Sequence, residues 1–365
     1  MPKESDEVMA TTYERSAEAG VRKFADWNSR HYRYFQPKGR KATLYEDVTV
    51  DVQPDPSRYL LQGWIISFAD GTPAYSPTRT RLGSSDWHEY RAPDEEWEKS
   101  HYQRQSAIIK MIQQAVANGR SQNAVARFDP DWVSILQNHV SASKHAEYGL
   151  GTALMSAQRD GMTQMINNSI LTNASYKLRY AQDLTLYLGD IASDFSKPFD
   201  ENAGKEHWLN DPIWQPVRKL VETVMVRKDH LEQYFAINVL IEPLVMGLFR
   251  RRFVMEMAAV HGDFLTPVVM SAAEADYSRN MVNTVVLMQM LAADEKFGPQ
   301  NRGVMKEWVQ DYQPLAILAQ QQLQAIWSLP RIKVSDFQEA ADHAQKYVQD
   351  ILSQIGIDTE GGQKV

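Results

Sequence analysis

Apolar residues recur every three to four positions between Ile166 and Leu188: Ile166, Ile170, Ala174, Leu178, Ala181, Leu184 and Leu188. That spacing marks the core-facing stripe of a long helix. The same stretch, which includes "SYKLRYAQDL", also carries Lys177, Arg179, Tyr180 and Asp183, a heavy polar load for an apolar helix. An exposed face with Arg179 and Asp183 paired one turn apart is the simplest account.

Helical periodicity continues through almost everything after residue 100. It predicts helices over 101–118, 131–160, 163–192, 211–227, 229–262, 267–297, 301–328 and 335–354. Asp131, after "FDP", and Ser335-Asp336 suit helix starts. Pro243 and Pro267 predict a kink and a fresh start, because proline lacks the backbone donor. "SDFSKPFDENAGKE" reads as a linker. The expected fold class is all-α, a bundle of long helices.

The first hundred residues differ. Turn chemistry dominates in "QPDPSR", "ADGTPAYSPTRTRLG" and "RAPDEEW", while "YEDVTVDV" and "YLLQGWIISF" suit strands or extended chain. Aromatics are dense here, from Trp27 and Tyr32 to Trp87, Tyr90 and Trp97, which is not the composition of disorder. An irregular segment this long needs a surface to pack on. That surface is either a partner or this chain's own helices. The expected organisation is an aromatic-rich arm over 1–100, a helical domain over 101–355 and a flexible tail over 356–365.

Composition narrows the chemistry. The chain has 365 residues, a formal net charge of -7 and mixed signs throughout. It has no clustered basic stripe of the kind nucleic acid requires. Cysteine is absent, which excludes disulfides, thiolate metal sites and a cysteine nucleophile. The N-terminus has no apolar signal-peptide core, and no window reads as membrane-spanning. No nucleic acid, no membrane and a cytoplasmic location are the expectations.

Nucleotide-binding and zinc-hydrolase motifs are missing. A long-helix bundle raises one further possibility, a di-metal carboxylate centre built from two Glu and two Glu-x-x-His elements. Glu-x-x-His occurs once, at Glu98–His101, ahead of the central helices. His145 with Glu147, Asp294 with Glu295, and His261 with Asp263 lack ligand spacing and read as satisfied polar groups.

Four stretches carry a family resemblance: "KATLYEDVTVDVQPDPSRYLLQGW", "HAEYGLGTALMSAQRDGMTQMINNSILTNASYKLRYAQDLTLY", "IEPLVMGLFRRRFVMEMAAVHGDFLTP" and "EADYSRNMVNTVVLMQMLAADEKFGPQNR". Over residues 30 to 355 the chain resembles the small (β) hydroxylase subunit of soluble di-iron multicomponent monooxygenases, nearest to the propane monooxygenase branch. Phenol, toluene and alkene monooxygenases have similar β subunits. The resemblance implies a ferritin-like bundle without metal. It also implies a large (α) partner carrying the di-iron centre in an α2β2 core, a coupling protein, and a reductase feeding electrons from NADH through FAD and Fe–S groups. No catalytic, cofactor-binding or metal residue is expected in this chain, and the reaction would be oxidation of propane or a related small alkane, ketone or phenol.

In the α pattern a Glu is followed by Glu-x-x-His, a second Glu and a second Glu-x-x-His, one element per core helix. Counted from Glu147, these steps fall near Lys177–Tyr180, Glu242 and Asp276–Arg279. The resemblance thus implies that Lys177, Tyr180 and Arg279 neutralise Glu147, Glu242 and Asp276 where metal would otherwise do so. Two other readings stay open: a di-iron oxidase with ligands among Glu147, Asp183, Glu242 and Asp276, and a helical scaffold unrelated to oxygenases.

Overall fold

The computed structural model describes residues 32–37, 40–50, 52, 71, 75–195, 198–200 and 202–357. It divides into two units, Met1–Gln53 and Pro54–Val365. Helices dominate the described residues and no β-strand occurs among them, as the hydrophobic period predicts.

In the first unit "YEDVTVDV" is not a strand. Leu44–Thr49 forms a short helix, α1, because Thr43 and Glu46 make a reciprocal capping box that satisfies two orphan donors at once. Arg40 then grips the same Glu46 carboxylate through both guanidinium nitrogens, at 2.7 and 2.8 Å. "YLLQGWIISF" lies outside the described residues.

The second unit is a bundle. Helix α2 spans Glu98–Ser121. Helix α3 runs through Pro130–Ile135, a π-helical turn Leu136–Val140, and Ser141–Ala157. Then come α4 (Gln164–Ala192), α5 (Ala203–Asn210) and α6 (Gln215–Met225). Helix α7 starts at His230–Phe235 and continues as π-helix over Ala236–Met246 and Leu248–Met255. The last three are α8 (Thr266–Ala293), α9 (Gly298–Trp327) and α10 (Phe337–Ile355). Helix α5 begins inside the segment expected to be linker.

Helices α3, α4, α7 and α8 form the centre, with α9 and α10 packed on α7. Helix α7 is buried without interruption from His230 to Arg250. By length and composition it could cross a membrane, yet its apolar window is wholly inside the bundle. The expected kink at Pro243 is instead a shift of hydrogen-bond register: the chain around the missing donor adopts π spacing rather than breaking.

The segment 75–97 packs on this chain's own helices. Gly83 exchanges hydrogen bonds with the Asn301 side chain at 2.9 and 2.7 Å, and Arg79 pairs with Asp160 at 2.8 Å. Tyr90 reaches Ser169 at 3.1 Å in the interior. At the other end Gly356, with φ of 83°, closes α10 while the Ile357 amide bonds back to Leu352, a glycine-dependent stop. Residues 358–365 lie outside the description.

Candidate functional site: a buried ion array

Three helices deliver four charges to a single point in the core. Glu147 comes from α3, Lys177 from α4, and Glu242 and Arg250 from α7. The Lys177 ammonium donates to Glu147 Oε2 at 3.0 Å and to Glu242 Oε1. Arg250 donates Nη1 to Glu147 Oε1 at 2.9 Å and Nη2 to Glu242 Oε2 at 3.0 Å. Each carboxylate is therefore held by both cations, one per oxygen. Arg250 Nε turns outward to Glu274 of α8 at 2.6 Å, and Arg251 shares that carboxylate.

None of the four is more than 7% exposed, so their charges meet in a medium where an unpaired ion would cost several kcal/mol. Burial alone would push Glu242 up, but Lys177 and Arg250 outweigh it and hold the group down at about 2. Burial pushes Glu147 up, opposed by Lys177 and reinforced by the nearby Glu242. Burial works against the charge on Lys177, but Glu147 and Glu242 raise its pKa above the ordinary lysine value. The array is a neutral set of two acids and two bases, with multiple hydrogen bonds on every member.

A cavity of about 20 Å³ remains beside it, lined by all four residues together with Tyr180 and Asp276; that is about the space of one water-sized centre. Tyr180 does not touch a carboxylate: its hydroxyl donates to Met270 Sδ at 2.7 Å, while its ring faces the Arg250 guanidinium 5.8 Å away. Asp276 bonds Arg279, and burial raises its pKa to about 6 against the pull of that arginine. Arg279 itself leaves the array. It lies over the Tyr176 ring at 4.9 Å and 3.8 Å from Glu96. Five of the six residues singled out from sequence thus meet around one cavity, and Arg279 serves a neighbouring cluster.

That second cluster is centred on Glu96, a carboxylate inserted from the segment before α2. Tyr176 and His101 both bond Glu96 Oε1, the latter at 3.1 Å through Nδ1, and His101 Nε2 meets Ser175 Oγ at 2.8 Å. Burial would raise Glu96, but these two hydrogen bonds and the nearby arginines bring it below its usual value. The partner of His101 is Glu96, five residues back, and not Glu98 of the Glu-x-x-His spacing. Although Ser175, His101 and Glu96 stand in nucleophile–base–carboxylate order, Ser175 sits mid-helix, where backbone amides are spent on the helix. The chain of bonds ties α2 to α4.

The other singled-out groups are structural. Asp183 pairs with Arg179 at 3.0 Å, one turn apart. Asp263 caps α8 through the amides of Leu265 and Thr266 and accepts from Trp132. Asp294 accepts from the amides of Ser85, Lys296 and Phe297. His145 stacks on Trp208. The residue missed from sequence is Arg250, the first of three consecutive arginines in "LFRRRFVM". A triple arginine inside so apolar a helix must send at least one side chain inward, and that was the available signal.

The array does not fit a di-iron centre. An ammonium and a guanidinium fill the space between the two glutamates, and positions 177–180 and 276–279 supply Lys, Tyr, Asp and Arg in place of Glu-x-x-His pairs.

The methane/phenol/alkene hydroxylase profile matches residues 64–295. The chain is 41% identical over 343 residues, 94% of its own length and 93% of the relative's, to the small subunit of the hydroxylase component of propane 2-monooxygenase from Gordonia sp. (strain TY-5). The chain belongs to the methane/phenol/alkene hydroxylase family. A more distant member is the β chain of methane monooxygenase component A from Methylosinus trichosporium, 26% identical across 80% of this chain and 76% of its own length. The family fold extends to a solved chain of phenol hydroxylase from Pseudomonas sp. OX1, with a TM-score of 0.74 and 17% identity over 91% of this chain and all of that one. A chain of toluene 4-monooxygenase follows at 0.68 and 16%, over 82% and 99%.

Proposed function

We propose that this family member is the non-catalytic small subunit of the hydroxylase in an NADH- and O2-dependent monooxygenase acting on propane or a comparable small alkane. The observation that carries this reading is the Glu147–Lys177–Glu242–Arg250 array. Counted from Glu147, three of its members fall on the steps of the metal-ligand pattern, and its cations are side chains. The identity of 41% and 37%, over 94% of this chain, to small subunits of propane 2-monooxygenase supports the substrate class.

The di-iron centre then belongs to a large partner subunit, with which this chain forms an α2β2 core in the cytoplasm. A coupling protein and a reductase carrying FAD and Fe–S groups complete the system. The role of this chain is to present a rigid helical face to the large subunit, with the aromatic-rich arm expected over 1–100 adding contacts to it. Within the array Lys177 and Arg250 act as positional substitutes for metal, holding α3, α4 and α7 in the spacing that a metal would impose.

The test is iron content and mass, measured for the chain alone and after co-expression with a large hydroxylase subunit. Negligible iron alone and an equimolar, iron-bearing complex together are expected. Near two irons per chain in the isolated protein would overturn the reading.

A further inference from the structure

A second set of donors lies away from the array, where α5 packs on α3. Nitrogen atoms of His139 and His207 and a carboxylate oxygen of Asp211 all fall within 4.8 Å of one another. His207 and Asp211 are four residues apart across the end of α5, a spacing that puts both on one helix face. His139 sits in the π-helical turn Leu136–Val140, the one interruption in α3, and its ring centre is 5.0 Å from that of His207. We infer that His139, His207 and Asp211 form a binding site for one divalent ion of the zinc–cobalt class.

Two imidazoles and one carboxylate are a donor set that such borderline ions take, with the remaining positions left to water. The donors are already oriented. Asp211 Oδ1 accepts from the Ile213 amide at 2.9 Å, which leaves Oδ2 facing His207 Nδ1 at 2.6 Å. His139 is fixed by the indole of Trp214, whose Nε1 donates to His139 Nδ1 at 3.2 Å. Access is open on one side only, because His139 is buried while the His207 side chain is 30% exposed.

Without metal, hydrogen bonds use the same lone pairs. A proton lies between His207 and Asp211, and the indole N–H lies on His139. Metal–donor bonds of about 2.0–2.1 Å require tetrahedral donors to stand about 3.3 Å apart. Entry of an ion at His207 Nδ1 therefore spreads His207 from Asp211, draws His139 inward, and leaves the His207 proton on Nε2. Trp214 competes with the ion for His139, so removing its donor strengthens the site. A merely structural cluster would respond in the opposite way.

The probe is Co2+, titrated into the full chain after chelator treatment and followed by its visible d–d absorption, with Zn2+ competition. One Co2+ per chain is expected, weakened at least tenfold in His207→Ala and in Asp211→Asn. The asparagine retains the acceptor for the Ile213 amide and keeps α5 folded, which circular dichroism checks. Trp214→Phe should bind Co2+ more tightly than the parent, and weaker binding in a folded Trp214→Phe would overturn the competition. Equal Co2+ binding in the parent, His207→Ala and Asp211→Asn would overturn the site, as would no saturable binding in the parent.

Discussion

Arg250 and Glu242 stand eight residues apart on one helix, yet their side chains meet 3.0 Å apart at a buried point. On an ideal α-helix that spacing leaves the two about 80° apart around the axis. Here the intervening chain is π-helical, and arginine is long enough to cover the remaining distance. The helix thus brings its own counter-ion to its own carboxylate, and the pair then reaches across to α3 and α4.

Removing one cation should be costly. Lys177→Met leaves Glu147 and Glu242 buried against Arg250 alone, and about 3–5 kcal/mol of stability should be lost. The double variant Lys177→Met/Glu147→Gln removes one charge of each sign and should lose clearly less than the sum of its single variants. Urea midpoints of the full chain measure both. Additive losses would show that the residues do not act as a unit.

The array also sets a response to acid. Glu242 titrates near 2 in the folded chain, below its unfolded value near 4.5. Its contribution is therefore present above about pH 4.5 and is lost as pH falls toward 2. The shift bounds it at about 3 kcal/mol. Glu147, raised by burial, has the opposite slope and offsets part of this. The stability of Glu242→Gln should consequently vary less with pH than that of the parent between pH 5 and 3, whereas Glu147→Gln should steepen the decline.

Glu96 offers a test of how the pre-helical segment is anchored. Glu96→Gln keeps the shape but weakens charge-assisted bonds from Tyr176 and His101 and leaves Arg279 with Asp276 alone. A loss of about 1.5–3 kcal/mol is expected. Limited proteolysis should then cut between 75 and 97 sooner than in the parent. An unchanged cleavage rate would mean that the other contacts, such as those of Gly83 with Asn301, hold the segment unaided.

Gly262→Ala should destabilise strongly for a different reason. Its φ is 79°, and an added Cβ would stand 2.2 Å from the Arg127 carbonyl oxygen. The left-handed backbone alone costs about 1 kcal/mol for alanine, and relieving the overlap requires backbone movement. A fall of several degrees in Tm is expected, with helical content intact below the transition. Gly189, where nothing lies within 4 Å, should accept alanine without loss.

Helix identity was legible because the hydrophobic period of α4, α8, α9 and α10 runs unbroken over many turns. Their ends were harder to place: α8 stops at Ala293 rather than 297, and α9 starts at Gly298 rather than 301. Local capping overrode β-branched composition at Leu44–Thr49, and α5 went unseen because a two-turn helix shows too little period. In the array, counting along the chain reached Glu147, Lys177 and Glu242. Arg250 lay beyond that method: its inward turn depends on a π register that no α-helical count anticipates. Arg279 was drawn aside by Glu96, a residue more than 180 positions away in sequence whose approach no local pattern records.

A core whose positive charges arrive covalently attached has no assembly step that waits for a metal. The spacing of α3, α4 and α7 is complete once the polypeptide has folded, whatever the supply of iron in the cell. On the proposed function, in which a partner subunit holds the iron, such a chain can be ready first and serve as the fixed template against which the loaded one matures. Scarcity of iron would then silence the chemistry while leaving the scaffold standing.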